Sequence, residues 1–237
     1  AQKLADVTVV TIFINPIQFG KGEDLDRYPR DLAGDQKKLK AIGVDYVFIP
    51  NVPGMYPDGF QTHVDVSEFT QGLCGASRPG HFKGVTTVVL KLFNIIQPEY
   101  AVFGKKDYQQ YKVIERMAKD LDLPVKIIGM NIYREPDGLA MSSRNRCLSD
   151  SERRLALHLP NALKQLKMAC QNQPKSINTL RKFFIKQVSK HKKIKLDYVV
   201  FVNKDSLVPI KKYETGKTLV AAAVFVGKTR LIDNMVI

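Results

Sequence analysis

The 237-residue chain has no apolar run near the roughly 20 residues that a membrane span needs. Its start shows no basic region followed by an apolar stretch and a cleavage site. These absences argue against a membrane-spanning or exported protein and favour the cytoplasm. Cysteine is scarce: Cys74, Cys147 and Cys170 are an odd number with no CxxC pair, so neither a disulfide framework nor a zinc site is expected. The four histidines, His63, His81, His158 and His191, show no HxxxH or HExxH spacing, which argues against catalytic zinc. The GxxxxGK[ST] pattern is also missing, so a phosphate site here is not a Walker loop.

What the chain does have is a 44% hydrophobic content, enough for a substantial core in one large domain or two smaller ones. Its net charge of +14 calls for an anionic partner: nucleic acid, a membrane surface or a phosphorylated small molecule. Much of the excess sits between Lys164 and Lys195, including Lys175, Arg181, Lys182 and Lys186. Leu180, Phe183, Phe184 and Val188 alternate with these cations, the pattern of a solvated helix face backed by a core.

The first half alternates apolar runs with amphipathic stretches, which predicts βαβ units and a Rossmann-like, mostly parallel sheet. Expected strands are Val7–Ile14, Tyr46–Ile49, Tyr100–Phe103 and Val125–Met130, apolar enough to be covered on both faces. Expected helices are Asp31–Ala41, Val85–Ile96 and Tyr108–Leu121. Pro50 to Gly84 holds too many Gly and Pro residues for a long helix and predicts a long loop with short strands. After Met130, one long helix over Ser149–Cys170 is expected, opened by a capping box of Ser149 with Glu152. A helix over Ser176–His191 and strands Asp197–Val202, Leu219–Val226 and Arg230–Val236 complete a smaller α+β domain. The expected division is residues 1–133 and 134–237. The opening AQKLAD reads like the last turn of a helix, so the chain is expected to begin inside a domain.

Four islands look unlike packing. In Asn15-Pro-Ile-Gln18, two uncharged amides leave a strand end, able to donate to a carboxylate and accept from a hydroxyl or amine; a plain turn is the alternative. In Gly104-Lys105-Lys106-Asp107, backbone amides ahead of a helix sit beside two lysines, suited to phosphate; Asp107 as a simple N-cap is the alternative. In Met141-Ser142-Ser143-Arg144, hydroxyls and a guanidinium can grip a polyphosphate, although short Ser-rich loops are common. Arg78-Pro-Gly-His81-Phe-Lys-Gly84 is either a turn or a substrate lid.

Together and in order, IFINPIQFG, EDLDRYPR, MYPDG, SRPGHFKGV, FGKKDYQQ, DGLAMSSRN and TRLIDNM resemble segments of the pantothenate synthetase family, within the nucleotidylyltransferase superfamily. The resemblance implies an ATP-dependent ligase that joins pantoate to β-alanine through a pantoyl adenylate, with Mg²⁺ on the triphosphate and a homodimer formed by the N-terminal domain. It implies that Gln18 contacts pantoate and β-alanine, that Gln110 binds pantoate and that Asn15 lines the same pocket. ATP would be held by Gly104, Lys105, Lys106, Asp107, Tyr133, Met141, Ser142, Ser143 and Arg144, with Lys106, Ser142, Ser143 and Arg144 facing the phosphates as catalytic groups. Residues 134–237 would form a lid carrying MSSRN. No protein ligand for a metal is expected. Two departures stand out: no HxGH motif is present, which implies little or no activity for a molecule starting at Ala1, and Lys105 stands where the family has Glu. The rivals are nucleotidyl transfer to another acceptor, which NPIQFG and DYQQ argue against, and a basic nucleic-acid-binding module. The latter lacks RNP, KH and finger signatures and any aromatic interleaving of the basic run.

Overall fold

The computed structural model describes residues 1–23, 25–172 and 176–237. Asp24 of EDLDRYPR and Lys175 of the basic run lie outside the described residues. The chain forms two compact units, one of Ala1–Phe103 with Gln110–Met130 and one of Gly104–Gln109 with Asn131–Ile237.

In the first unit, β1 (Val9–Thr11) is followed by α1 (Leu32–Ala41), whose first turn is capped by the Asp31 carboxylate accepting from Gly34 N–H at 3.1 Å. The next strand, β2 (Tyr46–Phe48), runs parallel to β1 with Val9 opposite Tyr46 and Thr11 opposite Phe48. The Pro50–Gly84 stretch contains no strand. It holds α2 (Val52–Met55), a 3-10 turn at Glu68–Thr70 and α3 (Leu73–Ser77). Its breakers serve as helix starts: Pro53 lies in the first turn of α2, Gly72 is the N-cap of α3, and Gly80 caps the next helix at φ +80°. That helix, α4 (His81–Ile96), begins four residues before the expected start. It leads to β3 (Tyr100–Gly104), α5 (Tyr108–Asp120) and β4 (Lys126–Met130).

Val85, Val88 and Val89 of α4 meet Val113, Ile114 and Met117 of α5 in the unit's core, as their three-and-four spacing predicts. The strands differ from expectation. They pair as β1-β2 and β3-β4, two separate two-stranded sheets, and their apolar side chains are not covered on both faces: Tyr46 is 64% exposed and Val102 38%. β1 shrinks to three residues because only Val9–Thr11 finds ladder partners on β2.

The second unit carries α6 (Asp150–Ala156), α7 (His158–Asn172) and α8 (Ile177–Val188), then β5 (Ile194–Asn203), β6 (Thr218–Val226) and β7 (Thr229–Val236) in an antiparallel meander with β6 central. Ser149 and Glu152 form the expected capping box. The single helix expected over Ser149–Cys170 is two, parted at Leu157, because Pro160 has no N–H to give the Ala156 carbonyl and is tolerated only in a first turn. Leu163, Leu166, Leu180 and Phe184 are fully buried against the sheet, while Lys164, Lys167, Arg181, Lys182 and Lys186 face solvent. The basic run is thus the wet side of two core-packed helices.

Candidate active site

Asn15 follows β1 as the N-cap of a 3-10 turn, Pro16–Gln18, and is buried. Its Nδ2 donates to Gln18 Oε1 at 3.1 Å and to the Gly84 carbonyl at 3.0 Å, and its Oδ1 accepts from Tyr56 Oη at 2.8 Å. The carbonyl of Gly84 can only accept and the amide of Asn15 is thereby oriented, so Gln18 must present Oε1 to Asn15. Among the described residues its own Nε2 hydrogens remain to meet an acceptor such as a carboxylate. Burial lifts the Tyr56 hydroxyl to about 12, which keeps it a neutral donor at physiological pH. Gly84 is required here: a Cβ would lie 2.5 Å from the Ile17 carbonyl and 2.6 Å from Gln18 Cα. Only glycine lets α4 close on the Asn15–Gln18 turn.

The RPGHFKG island supports the same turn. Arg78 forks onto Glu23 at 2.7 and 2.5 Å and reaches His81 Nε2 at 3.0 Å, while His81 Nδ1 lies 2.8 Å from the Gln18 carbonyl. A tautomer with the proton on Nδ1 satisfies both contacts, donating to Gln18 and accepting from Arg78. Burial works against the Glu23 charge, but the hydrogen bond and charge of Arg78 prevail and hold its carboxyl below the usual range. Gln110, in the first turn of α5, is half-buried, and no side-chain hydrogen bond joins it to Asn15 or Gln18 among the described residues.

In the second unit Lys106, Ser142, Arg144, Asn145, Arg230 and Asp233 line one pocket, floored by Leu139, Ala140, Leu159, Leu231 and Ile232. Three stretches converge on it: the turn Lys105–Asp107 between β3 and α5, the 3-10 turn Ser143–Cys147 with Ser142 as its cap, and β7. Ser142 Oγ accepts from Arg144 N–H at 3.3 Å. Arg230 pairs with Asp197 at 2.9 Å. Asp233 is held by Arg134, and Lys106, Arg144 and Arg230 bring cationic groups to the wall, a lining whose chemistry suits an oxyanion.

The hairpin feeding this pocket is stiffly braced. Asn145 Nδ2 donates to Glu135 and to the Ala140 carbonyl, and Arg153 pairs with Glu135 at 2.5 Å and Asp137 at 2.7 Å. The Asn145 hydrogen bond and the Arg153 charge hold Glu135 below the usual carboxylate range. Of the four residues expected to face phosphate, Lys106, Ser142 and Arg144 reach the pocket wall and Ser143 does not; of the other expected ATP contacts, Gly104, Lys105, Asp107, Tyr133 and Met141 do not line it. Tyr133 is exposed, and its carbonyl accepts from Met141 N–H at 2.9 Å. No sequence pattern assigns a role to Tyr56, Arg230 or Asp233. Their presence in MYPDG and TRLIDNM was the available signal.

Residues 1–236 match the family model described as Pantoate-beta-alanine ligase. A curated pantothenate synthetase of Geotalea uraniireducens is 52% identical over 236 residues, covering 100% of this chain and 83% of its own. A pantothenate synthetase structure from Thermus thermophilus superposes with a TM-score of 0.93 at 41% identity, covering 99% of this chain and 84% of that one. A pantoate-beta-alanine ligase from Francisella tularensis, complexed with beta-gamma ATP and beta-alanine, superposes with a TM-score of 0.79 at 33% identity, covering 100% of this chain and 81% of that one.

Proposed function

Because this chain belongs to the pantoate–β-alanine ligase family, we propose that it condenses pantoate with β-alanine at the expense of ATP, with the side chains above in defined roles. A carboxylate oxygen of pantoate attacks the α-phosphorus, the bond to the bridging oxygen breaks, and pyrophosphate leaves with the electron pair. The β-alanine amine then attacks the acyl carbon of the adenylate. The bond to AMP breaks and the amine proton passes to solvent.

Neither step needs a protein nucleophile. Both need alignment, neutralised phosphate charge and exclusion of water from a hydrolysable acyl adenylate. Gln18, oriented by Asn15, offers its Nε2 hydrogens to pantoate and then to β-alanine, with Gln110 as a second pantoate contact. Lys106, Ser142 and Arg144 face the phosphates, with Ser143 beside them; Gly104, Lys105, Asp107, Tyr133 and Met141 complete the nucleotide contacts. Residues 1–133 supply the nucleotide- and pantoate-binding part and residues 134–237 the part carrying MSSRN. Among the described residues no group of three His, Cys, Asp or Glu could hold a metal ion, and the Mg²⁺ this reading calls for needs no such group. The ion belongs to the nucleotide, carried by phosphate oxygens and water. We take the protein to work as a homodimer in the cytoplasm.

The observation that carries this reading is the convergence of Lys106, Ser142 and Arg144 on one pocket from separate segments of the chain. Pantoate-dependent exchange of labelled pyrophosphate into ATP, without β-alanine, tests it on this chain and on a version extended at its N-terminus by an HxGH-bearing segment. Exchange should require pantoate and fall by roughly 10² to 10³ in Arg144→Ala. Exchange that ignores pantoate, or that survives Arg144→Ala, contradicts it.

A further inference from the structure

The TRLIDNM stretch of β7 has no part in the chemistry above, yet two of its adjacent residues reach both phosphate-facing segments. Asp233 and Asn234 are buried polar side chains, and the β6 residues opposite them are Ala222 and Ala221, small enough to leave them room. Asn234 Nδ2 donates one hydrogen to the Lys105 carbonyl at 2.9 Å and the other to the Lys106 carbonyl at 2.8 Å. Both acceptors are carbonyl oxygens, so the amide can face them only with its nitrogen. The two peptide planes of the lysine turn are thereby anchored to the strand, and Lys106 emerges on the pocket wall.

Asp233 anchors the other segment. Its two oxygens accept from Arg134 Nη1 at 2.8 Å and Nη2 at 2.9 Å, and Oδ1 also takes the Asn234 N–H at 2.8 Å. Arg134 Nη1 spans to the Gly138 carbonyl at 3.1 Å as well, closing the hairpin whose Arg134–Ala140 bridge leads directly into Met141–Arg144. A bidentate pair fixes the orientation of a guanidinium as well as its position.

We infer that Asp233 and Asn234 are positioning residues for the triphosphate: one dipeptide on β7 sets the spacing between Lys106 and the Ser142–Arg144 segment. The inference rests on the nucleotide reading of this pocket. Loss of a well-placed hydrogen bond to a charged group lowers affinity roughly tenfold to a hundredfold, so losing one anchor should be felt at the phosphates and not at the nucleoside.

The test is calorimetric titration of the protein and its variants with ATP and with adenosine, each variant being checked for folding by circular dichroism. Asn234→Asp keeps the shape of the side chain but sets a carboxylate oxygen against two carbonyls. ATP affinity should fall roughly tenfold to a hundredfold while adenosine affinity stays within twofold. Arg134→Lys, which loses the fork, should do the same through the other segment. Leu163→Ala, a core truncation in the same unit, should lower the thermal midpoint yet leave the ATP-to-adenosine ratio unchanged. If Asn234→Asp does not fold, Asn234→Ser, which retains a single donor, is read in its place. A folded Asn234 variant with ATP affinity within twofold of the parent overturns the inference, and so does Leu163→Ala shifting the ratio equally. A parent protein that binds adenosine but shows no preference for ATP overturns the nucleotide reading, and the inference with it.

Discussion

At the scale of single residues, the amide of Gln18 is only as well defined as the groups behind it. Tyr56 Oη donates to Asn15 Oδ1, Asn15 donates to Gln18, and the free face of Gln18 is a donor. Tyr56→Phe removes the first donor and leaves a buried oxygen unpaired. We expect a loss of about 1–3 kcal/mol in stability by denaturant titration, together with a higher KM for pantoate and an unchanged KM for ATP. A rise in both KM values would show the effect to be general. Asn15 and Gln18 were legible in the sequence because uncharged amides at a strand end are poor packing material. Tyr56 was not, since it sits 41 residues away and no local pattern ties it to Asn15. His81 and Arg78 were legible as an island, read as a turn or a substrate lid; what the sequence could not show is that they grip the Gln18 carbonyl and Glu23.

At the scale of elements, sequence signals with a local mechanism held and those requiring partners did not. The Ser149 capping box depends on residues three apart and forms as expected, and Asp31, expected inside its helix, instead caps it through the Gly34 N–H three residues on. The apolar face of α4 followed its periodicity, but its start at His81 was hidden by Gly84, a helix-weakening residue retained for close approach to the Asn15–Gln18 turn. The strands of the first unit were recognisable from their apolar runs, whereas their pairing into two small sheets depends on neighbours that no run reveals. At the start of α7, the His158 ring lies 4.2 Å from that of His191. Burial first, then the charges of His191 and Lys190, push the His158 imidazole below its ordinary value. A histidine lowered in the fold binds fewer protons there than when unfolded, so its contribution is complete above about pH 6.5 and is lost as pH falls toward the folded value. The urea midpoint should therefore drop as the pH falls below about 6.5, and His158→Gln should flatten that slope. An equally steep slope in His158→Gln would place the acid sensitivity elsewhere.

At the scale of the whole molecule, charge and order of motifs carried different weights. A net charge of +14 admitted nucleic acid, membrane or phosphorylated ligands. The exposed lysines of α7 and α8 account for much of it as solvated surface, while the pocket needs only Lys106 and Arg144 with Arg230 beside them. Seven short segments in a fixed order were the stronger signal, and the family match over residues 1–236 agrees with them. The role of β7 was not legible, because its anchoring contacts join residues about 100 or more positions apart. The central claim is that AMP formation here is coupled to amide synthesis. It is tested most directly by measuring AMP release from Mg-ATP with pantoate and β-alanine supplied separately and together, beside a version extended at its N-terminus by the family's histidine-bearing segment. AMP should accumulate catalytically only when both substrates are present. Release that proceeds without pantoate, or none from either version with both substrates supplied, would contradict the assignment.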